Sequence, residues 1–157
     1  MKAMTPEITI DIQHHLTSND CPADDDIRTW AKLALIERNE DTEISIILMG
    51  DEEMSELNET YRHKKGPTNV LSFPFEKPED LKLSLLGDLA ICVPQMIREA
   101  KTQHKPLTAH FAHLTIHGCL HLLGYDHIEP SDATVMELRE IELLKQLNIP
   151  NPYQERA

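Results

Sequence analysis

The sequence predicts an α+β fold, one small mixed sheet of about four strands with about five helices packed on it. Two patterns carry that prediction. Runs at 8–12, 44–49, 70–74 and 85–93 are short and β-branched or apolar, as strands are, and the segments around them repeat their apolar residues at helical spacing. A third observation bounds the answer: 157 residues, 40% hydrophobic and 27% charged, suit a single domain over 1–157 and leave no room for a second of ordinary size.

Ile8-Thr9-Ile10-Asp11-Ile12 alternates with period two, as a half-buried strand does. After the acidic run Asp24 to Asp26, the spacing of Ile27, Trp30, Ala31, Ala34 and Leu35 predicts a helix whose first-turn acids face the positive end of its dipole. Ile44 to Met49 is a second strand, and Gly50-Asp51 opens a helix expected to turn Met54, Leu57 and Tyr61 inward. Val70 to Pro74 is a strand that must stop or lie at an edge, because proline has no N–H for the ladder. Leu85 to Val93 is another. A helix from Pro94 to about Gln103 tolerates proline in its first turn. The next runs from Pro106-Leu107-Thr108 to Gly124. The last spans Ser131 to Leu147 with Val135, Leu138, Ile141 and Leu144 on its buried face, and the chain beyond Pro150 is expected to fray.

With 27 acidic against 15 basic residues the net charge is −12, which excludes a global field drawing in nucleic acid or an anionic membrane; a polyanion has to meet a local patch. No apolar stretch approaches the ~18 residues of a membrane span, and the N-terminus lacks the shape of a secretion signal, so a cytoplasmic protein without membrane attachment is expected. Cys21, Cys92 and Cys119 have no disulfide-like spacing, as reduced thiols do not need one.

Function is legible in the histidines. There are nine, and five of them, His110, His113, His117, His121 and His127, fall in one short stretch. His117 and His121, at i and i+4, project from one helix face with Cβ atoms about 5–6 Å apart, so both imidazoles can reach one ion at about 2.0–2.1 Å. Gly124 can end the helix in a left-handed conformation, and the reversed chain then brings His127 back over the pair. His113 competes as third ligand, but on a straight helix it lies about 12 Å along the axis from His121, which favours His127. Three nitrogen donors with no fourth from the protein is the pattern of catalytic zinc, and nickel or cobalt also suits imidazole. His110 and His113 read as hydrogen-bonded core or surface residues and Cys119 as a small buried hydrophobe. Asp126 is open to two roles, orienting a ligand imidazole or capping the turn.

The spacing matches the zinc-protease motif H-E-x-x-H-x-x-G-x-x-H, except that Gly118 stands where those enzymes carry their general-base glutamate. Peptide hydrolysis needs a proton shuttle for its amine leaving group. A phosphodiester asks chiefly for charge stabilisation, which a metal and an arginine can supply.

These residues carry a resemblance. His117-Gly118-Cys119-Leu120-His121-Leu122-Leu123-Gly124-Tyr125-Asp126-His127 resembles the H-G-x-L-H-L-x-G-Y-D-H motif of the YbeY family, bacterial metal-dependent endoribonucleases of ribosomal RNA maturation. Asn58-Glu59-Thr60-Tyr61-Arg62 with Pro67-Thr68-Asn69-Val70-Leu71-Ser72-Phe73-Pro74, and Leu86-Gly87-Asp88-Leu89-Ala90-Ile91, are similar to that family's other signature blocks. Asn69 stands where the family often has aspartate. The resemblance implies a zinc-protease-like helix, one zinc per chain on His117, His121 and His127, Arg62 facing the cleft, and single-stranded RNA as substrate. It further implies a role in 16S 3′-end maturation and ribosome quality control, with the ribosome or its small subunit, and a GTPase or ribosomal protein, as partners.

Guanidinium binds phosphate oxygens bidentately and stays charged, which gives Arg62 a reason to be there. Arg62, His63, Lys64 and Lys65 form one basic run and Arg98, Lys101, His104 and Lys105 another; if both flank the metal they make a positive track in an acidic body. With 4% aromatics, few platforms exist for stacking splayed bases, so sequence specificity is expected from a partner. Two alternatives remain at this level: a metallohydrolase of another small substrate, and a non-catalytic ribosome assembly factor stabilised by zinc.

Overall fold

The computed structural model describes residues 6–76, 84–126 and 128–153. In chain order these form β1 (Ile8–His14), α1 (Asp24–Leu35), β2 (Thr42–Met49), α2 (Asp51–Arg62), β3 (Val70–Pro74), β4 (Leu85–Cys92), α3 (Val93–Thr102), α4 (Leu107–Leu122) and α5 (Pro130–Gln146). The fold is α+β, with one four-stranded sheet in the order β1-β2-β4-β3. β1, β2 and β4 are parallel, with Ile10 opposite Ile44 and Ile46 opposite Leu89, while β3 runs antiparallel to β4. Parallel neighbours need a crossover, and α1 supplies it between β1 and β2. Pro74 sits in the edge strand β3, the place where a residue without an N–H does least harm.

Alternation along the strands builds a core on each face. Ile44, Ile46 and Leu48 of β2 and Leu89 and Ile91 of β4 enter the larger one with Ile27, Trp30, Phe111, Ile116 and Leu143. Their neighbours Ile47, Met49, Ala90 and Cys92 face the smaller one, which Met54 of α2 closes. Burying a Leu, Ile or Phe side chain contributes about 1.5–3 kcal/mol. Helix α4 buries Phe111, Leu114, Ile116, Leu120 and Leu122, so the larger core is organised around it and its C-terminal half is held firmly.

Three expectations need correction. On α5 the buried residues are Met136, Glu140, Leu143 and Leu144, while Val135 and Leu138 are 58% and 61% exposed. A strict three-residue stripe slips about 60° around the helix each turn, whereas the 136–140–143 spacing stays on one face; it was hidden because one member is a glutamate. Tyr61 is 62% exposed and lies edge-on against Phe73, with ring centroids 5.1 Å apart, instead of pointing inward. Beyond Pro150 the chain does not fray as far as it is described: the Tyr153 hydroxyl donates to Glu140 Oε2 at 2.9 Å and its ring stands edge-on to His113. Among the described residues, no helix is long and apolar enough to cross a membrane.

Candidate functional site

The C-terminal half of α4 carries the site. His117 and His121 share a helix face, their ring centroids 4.8 Å apart and their planes nearly perpendicular. Both line a cavity of about 560 Å³ whose other walls are Arg62 at the end of α2, the segment from Thr68 to Ser72, and Asp126 after α4. One helix end, the edge strand and the α4 turn thus meet over the two imidazoles.

Local chemistry explains each wall. His63, in the left-handed conformation (φ 58°), ends α2 directly after Arg62, and buried Asn58 pins the following turn by donating to the Gly66 carbonyl at 2.9 Å. Ser72 Oγ donates to the Gly118 carbonyl at 3.0 Å, fastening β3 to α4. Gly118 itself lies against the sheet, and a Cβ there would run into Leu89 Cδ1. The position after His117 therefore faces the core, and any side chain placed there has to displace the Leu89 side chain. Gly124 adopts φ 105°, which a side chain would resist, and the chain reverses there with Tyr125 N–H donating to the Leu120 carbonyl. Asp126 Oδ1 accepts the Ile128 N–H at 3.2 Å, the turn-capping role, while also lining the cavity. His127 lies outside the described residues. Among the described residues, no three His, Cys, Asp or Glu side chains are grouped as a metal site.

Behind the imidazoles lies a residue that sequence reasoning missed. Glu140 of α5 is 0% exposed, and its Oε1 accepts from His117 Nδ1 at 2.9 Å and from His113 Nε2 at 3.0 Å. Burial alone would raise its pKa; the donors outweigh it and hold the carboxyl down at about 2. Burial likewise pushes His113 below its ordinary value, against the pull of Glu140. A second, partly buried pair lies toward the start of α4: buried His110 Nε2 donates to half-buried Glu99 at 2.8 Å, and Glu99 also accepts from Asn69 Nδ2 at 3.0 Å and Gln95 Nε2 at 3.1 Å. Burial opposes ionisation of Glu99 too, and these donors lower its pKa nonetheless. His110 and His113 are thus hydrogen-bonded residues of the helix interior, and Asn69 is a clamp whose Oδ1 accepts the Val70 N–H while its amide holds Glu99. Cys119 is fully buried, its thiol pushed up to about 12 by burial.

The basic residues divide. Arg62 is exposed at the cavity. Lys64 and Lys65 are exposed in the turn after α2, and Arg98 forms a two-pronged ion pair with Asp51 at 2.7 and 2.9 Å. Among the described residues, those three do not line the cavity.

Comparison with known proteins agrees with this architecture. The family model described as "Endoribonuclease YbeY" matches residues 11–148. The chain is 54% identical over 147 residues to the endoribonuclease YbeY of Pseudomonas entomophila strain L48, covering 93% of both chains, and 53% identical over 147 residues to that of Pseudomonas putida strain W619, again with 93% of both covered. The solution structure of the Thermotoga maritima protein TM1509 has the same fold, with a TM-score of 0.63 at 22% identity over 93% of this chain and 99% of that one. Shared architecture and more than half of all residues in common lead to one conclusion: the chain belongs to the YbeY family.

Proposed function

We propose that this protein is an endoribonuclease that cuts single-stranded RNA at the cavity between Arg62 and the His117–His121 pair, using one zinc ion held by His117, His121 and His127. The observation that carries the reading is the joint lining of one cavity by a guanidinium and two imidazoles, with Asp126, which precedes His127 in the sequence, on the same wall. The donor set fits the ion: imidazole nitrogens suit zinc, and nickel or cobalt as substitutes. When bound, zinc supplies Lewis acidity toward a scissile phosphate or toward water.

The chain's own residues do the rest. Arg62 pairs with the non-bridging oxygens of the phosphate and steadies the extra negative charge that builds as the bond to the leaving oxygen stretches. With position 118 turned to the sheet, no carboxylate follows His117 into the cavity, which suits phosphodiester cleavage better than peptide hydrolysis. Lys64 and Lys65, exposed next to Arg62, extend the positive edge along which a strand can run, giving salt-sensitive contacts without sequence readout. Arg98 joins them only by leaving Asp51. The overall acidity and the few aromatics leave target selection to a partner. The family resemblance suggests which: a ribosomal small subunit in the cytoplasm, with a GTPase or ribosomal protein delivering the chain to the 3′ end of 16S RNA.

The test pairs metal analysis with cleavage of a single-stranded RNA by wild type and His117→Ala. Wild type carries one zinc and cuts, while the variant loses both; equal cutting by the two proteins overturns the reading. End-group analysis of the products assigns the attacking oxygen, since a cyclic phosphate marks the RNA's own 2′-hydroxyl.

A further inference from the structure

We infer that Glu140 and Tyr153 are positioning residues for the metal ligand His117, and that the C-terminal segment is thereby part of the metal site. The inference rests on the zinc reading above and adds to it two residues beyond the histidines and Arg62.

A neutral imidazole has one N–H and one lone pair, and only the nitrogen with the lone pair can bind a metal. Which nitrogen that is depends on the partner of the other. In His117 the Nδ1 lies 2.9 Å from Glu140 Oε1, so the proton sits on Nδ1 and the lone pair on Nε2. His117 is then locked in the tautomer that a ligand in the cavity requires.

The lock depends on a carboxylate that cannot turn, and the structure holds it at both oxygens. Oε1 takes His117 Nδ1 and His113 Nε2, and Oε2 takes the Tyr153 hydroxyl at 2.9 Å. Three donors converge on one fully buried group, which fixes its plane and hence the plane of the His117 ring. The reach of Tyr153 is built as well. Past the end of α5, Asn148 takes a left-handed conformation (φ 61°), and Asn151 Oδ1 accepts the Tyr153 N–H at 2.8 Å, so the chain turns back onto α4. His113, met edge-on by the Tyr153 ring at 5.5 Å, braces the same carboxylate from one turn earlier on α4. Burial obliges any carboxylate to have its oxygens satisfied; what ties this one to the site is that one of its donors is His117 Nδ1 itself.

The test measures zinc affinity of the full chain by competition with a chelating dye, for wild type, Glu140→Gln and Tyr153→Phe. Glutamine keeps the size of the side chain and removes its charge; phenylalanine keeps the ring and removes one donor. Loss of such an outer partner weakens metal binding about 10–100-fold, and that is the expected effect of Glu140→Gln, with a smaller loss in the same direction for Tyr153→Phe. Met54→Ala, which weakens the smaller core, controls for general destabilisation and leaves zinc affinity unchanged. Nitrogen-15 chemical shifts of the metal-free wild type give an independent readout, with His117 protonated on Nδ1. If wild type binds zinc and both variants bind it equally well, or His117 is protonated on Nε2, this inference is overturned while the zinc reading stands. If wild type binds no zinc, both fall.

Discussion

Gly118 of α4 rests on Leu89 of β4 so closely that even a methyl group in place of its hydrogen would overlap the leucine side chain. The contact lets helix and sheet approach where the two imidazoles emerge, and a larger residue after His117 has to push the leucine aside.

Gly118→Glu, which restores the protease motif, is therefore expected to destabilise the protein without creating a peptidase. Overpacking a core costs about 1–3 kcal/mol, and a carboxylate driven against Leu89 without a partner adds to that. Thermal unfolding should show a clear drop in Tm and peptide substrates should remain intact; a stable variant that hydrolyses peptides would contradict the packing account.

Arg62→Ala should reduce RNA cleavage about 10²–10³-fold, the usual cost of losing one charge-stabilising donor in a transition state, while zinc content stays at one per chain. Single-turnover cleavage alongside metal analysis checks it. Loss of the metal in this variant would mean that Arg62 supports the site's structure.

Stability should fall on acidification. Glu140 and Glu99 have lower pKa values folded than the ordinary 4.5, so between the two values the unfolded chain binds more protons. Their stabilisation is present above about pH 4.5 and is lost as pH falls toward about 2, the folded value for Glu140. His113, lowered by burial, acts in the same direction below its ordinary 6.5. Urea unfolding across this range should show a falling midpoint, with a shallower fall in Glu140→Gln; a midpoint that rises toward acid would contradict it.

The face that α5 buries can be tested directly. Leu143→Ala should cost about 2–5 kcal/mol, and Leu138→Ala no more than about 0.5 kcal/mol, as measured by urea unfolding. Comparable losses would restore the face that the three-residue stripe implies.

The periodicity of the strands and helices was readable because each carries its own pattern, and Pro74 even marked the edge strand. The His117–His121 row and the Gly124 turn were readable for the same reason: helix geometry and a left-handed glycine are local facts. Arg62 entered through a motif resemblance, since no local rule says that the last residue of α2 will face the end of α4. Glu140 stayed hidden because periodicity treats a carboxylate as surface, although its place between Met136 and Leu143 was a signal. Tyr153 could not be found this way at all, for its hydroxyl's partner Glu140 lies 13 residues earlier on another element and its ring partner His113 lies on α4. Arg98 looked like part of a basic run because composition does not reveal that Asp51, far off in sequence, already holds it.

One titration goes to the centre of the account: metal-stripped protein, single-stranded RNA, and zinc added stepwise. Cleavage should be absent at first, rise with zinc and level off at one equivalent per chain, and His121→Ala should show no rise at all. Stripped protein that cuts at the undiminished rate of the untreated one would contradict it.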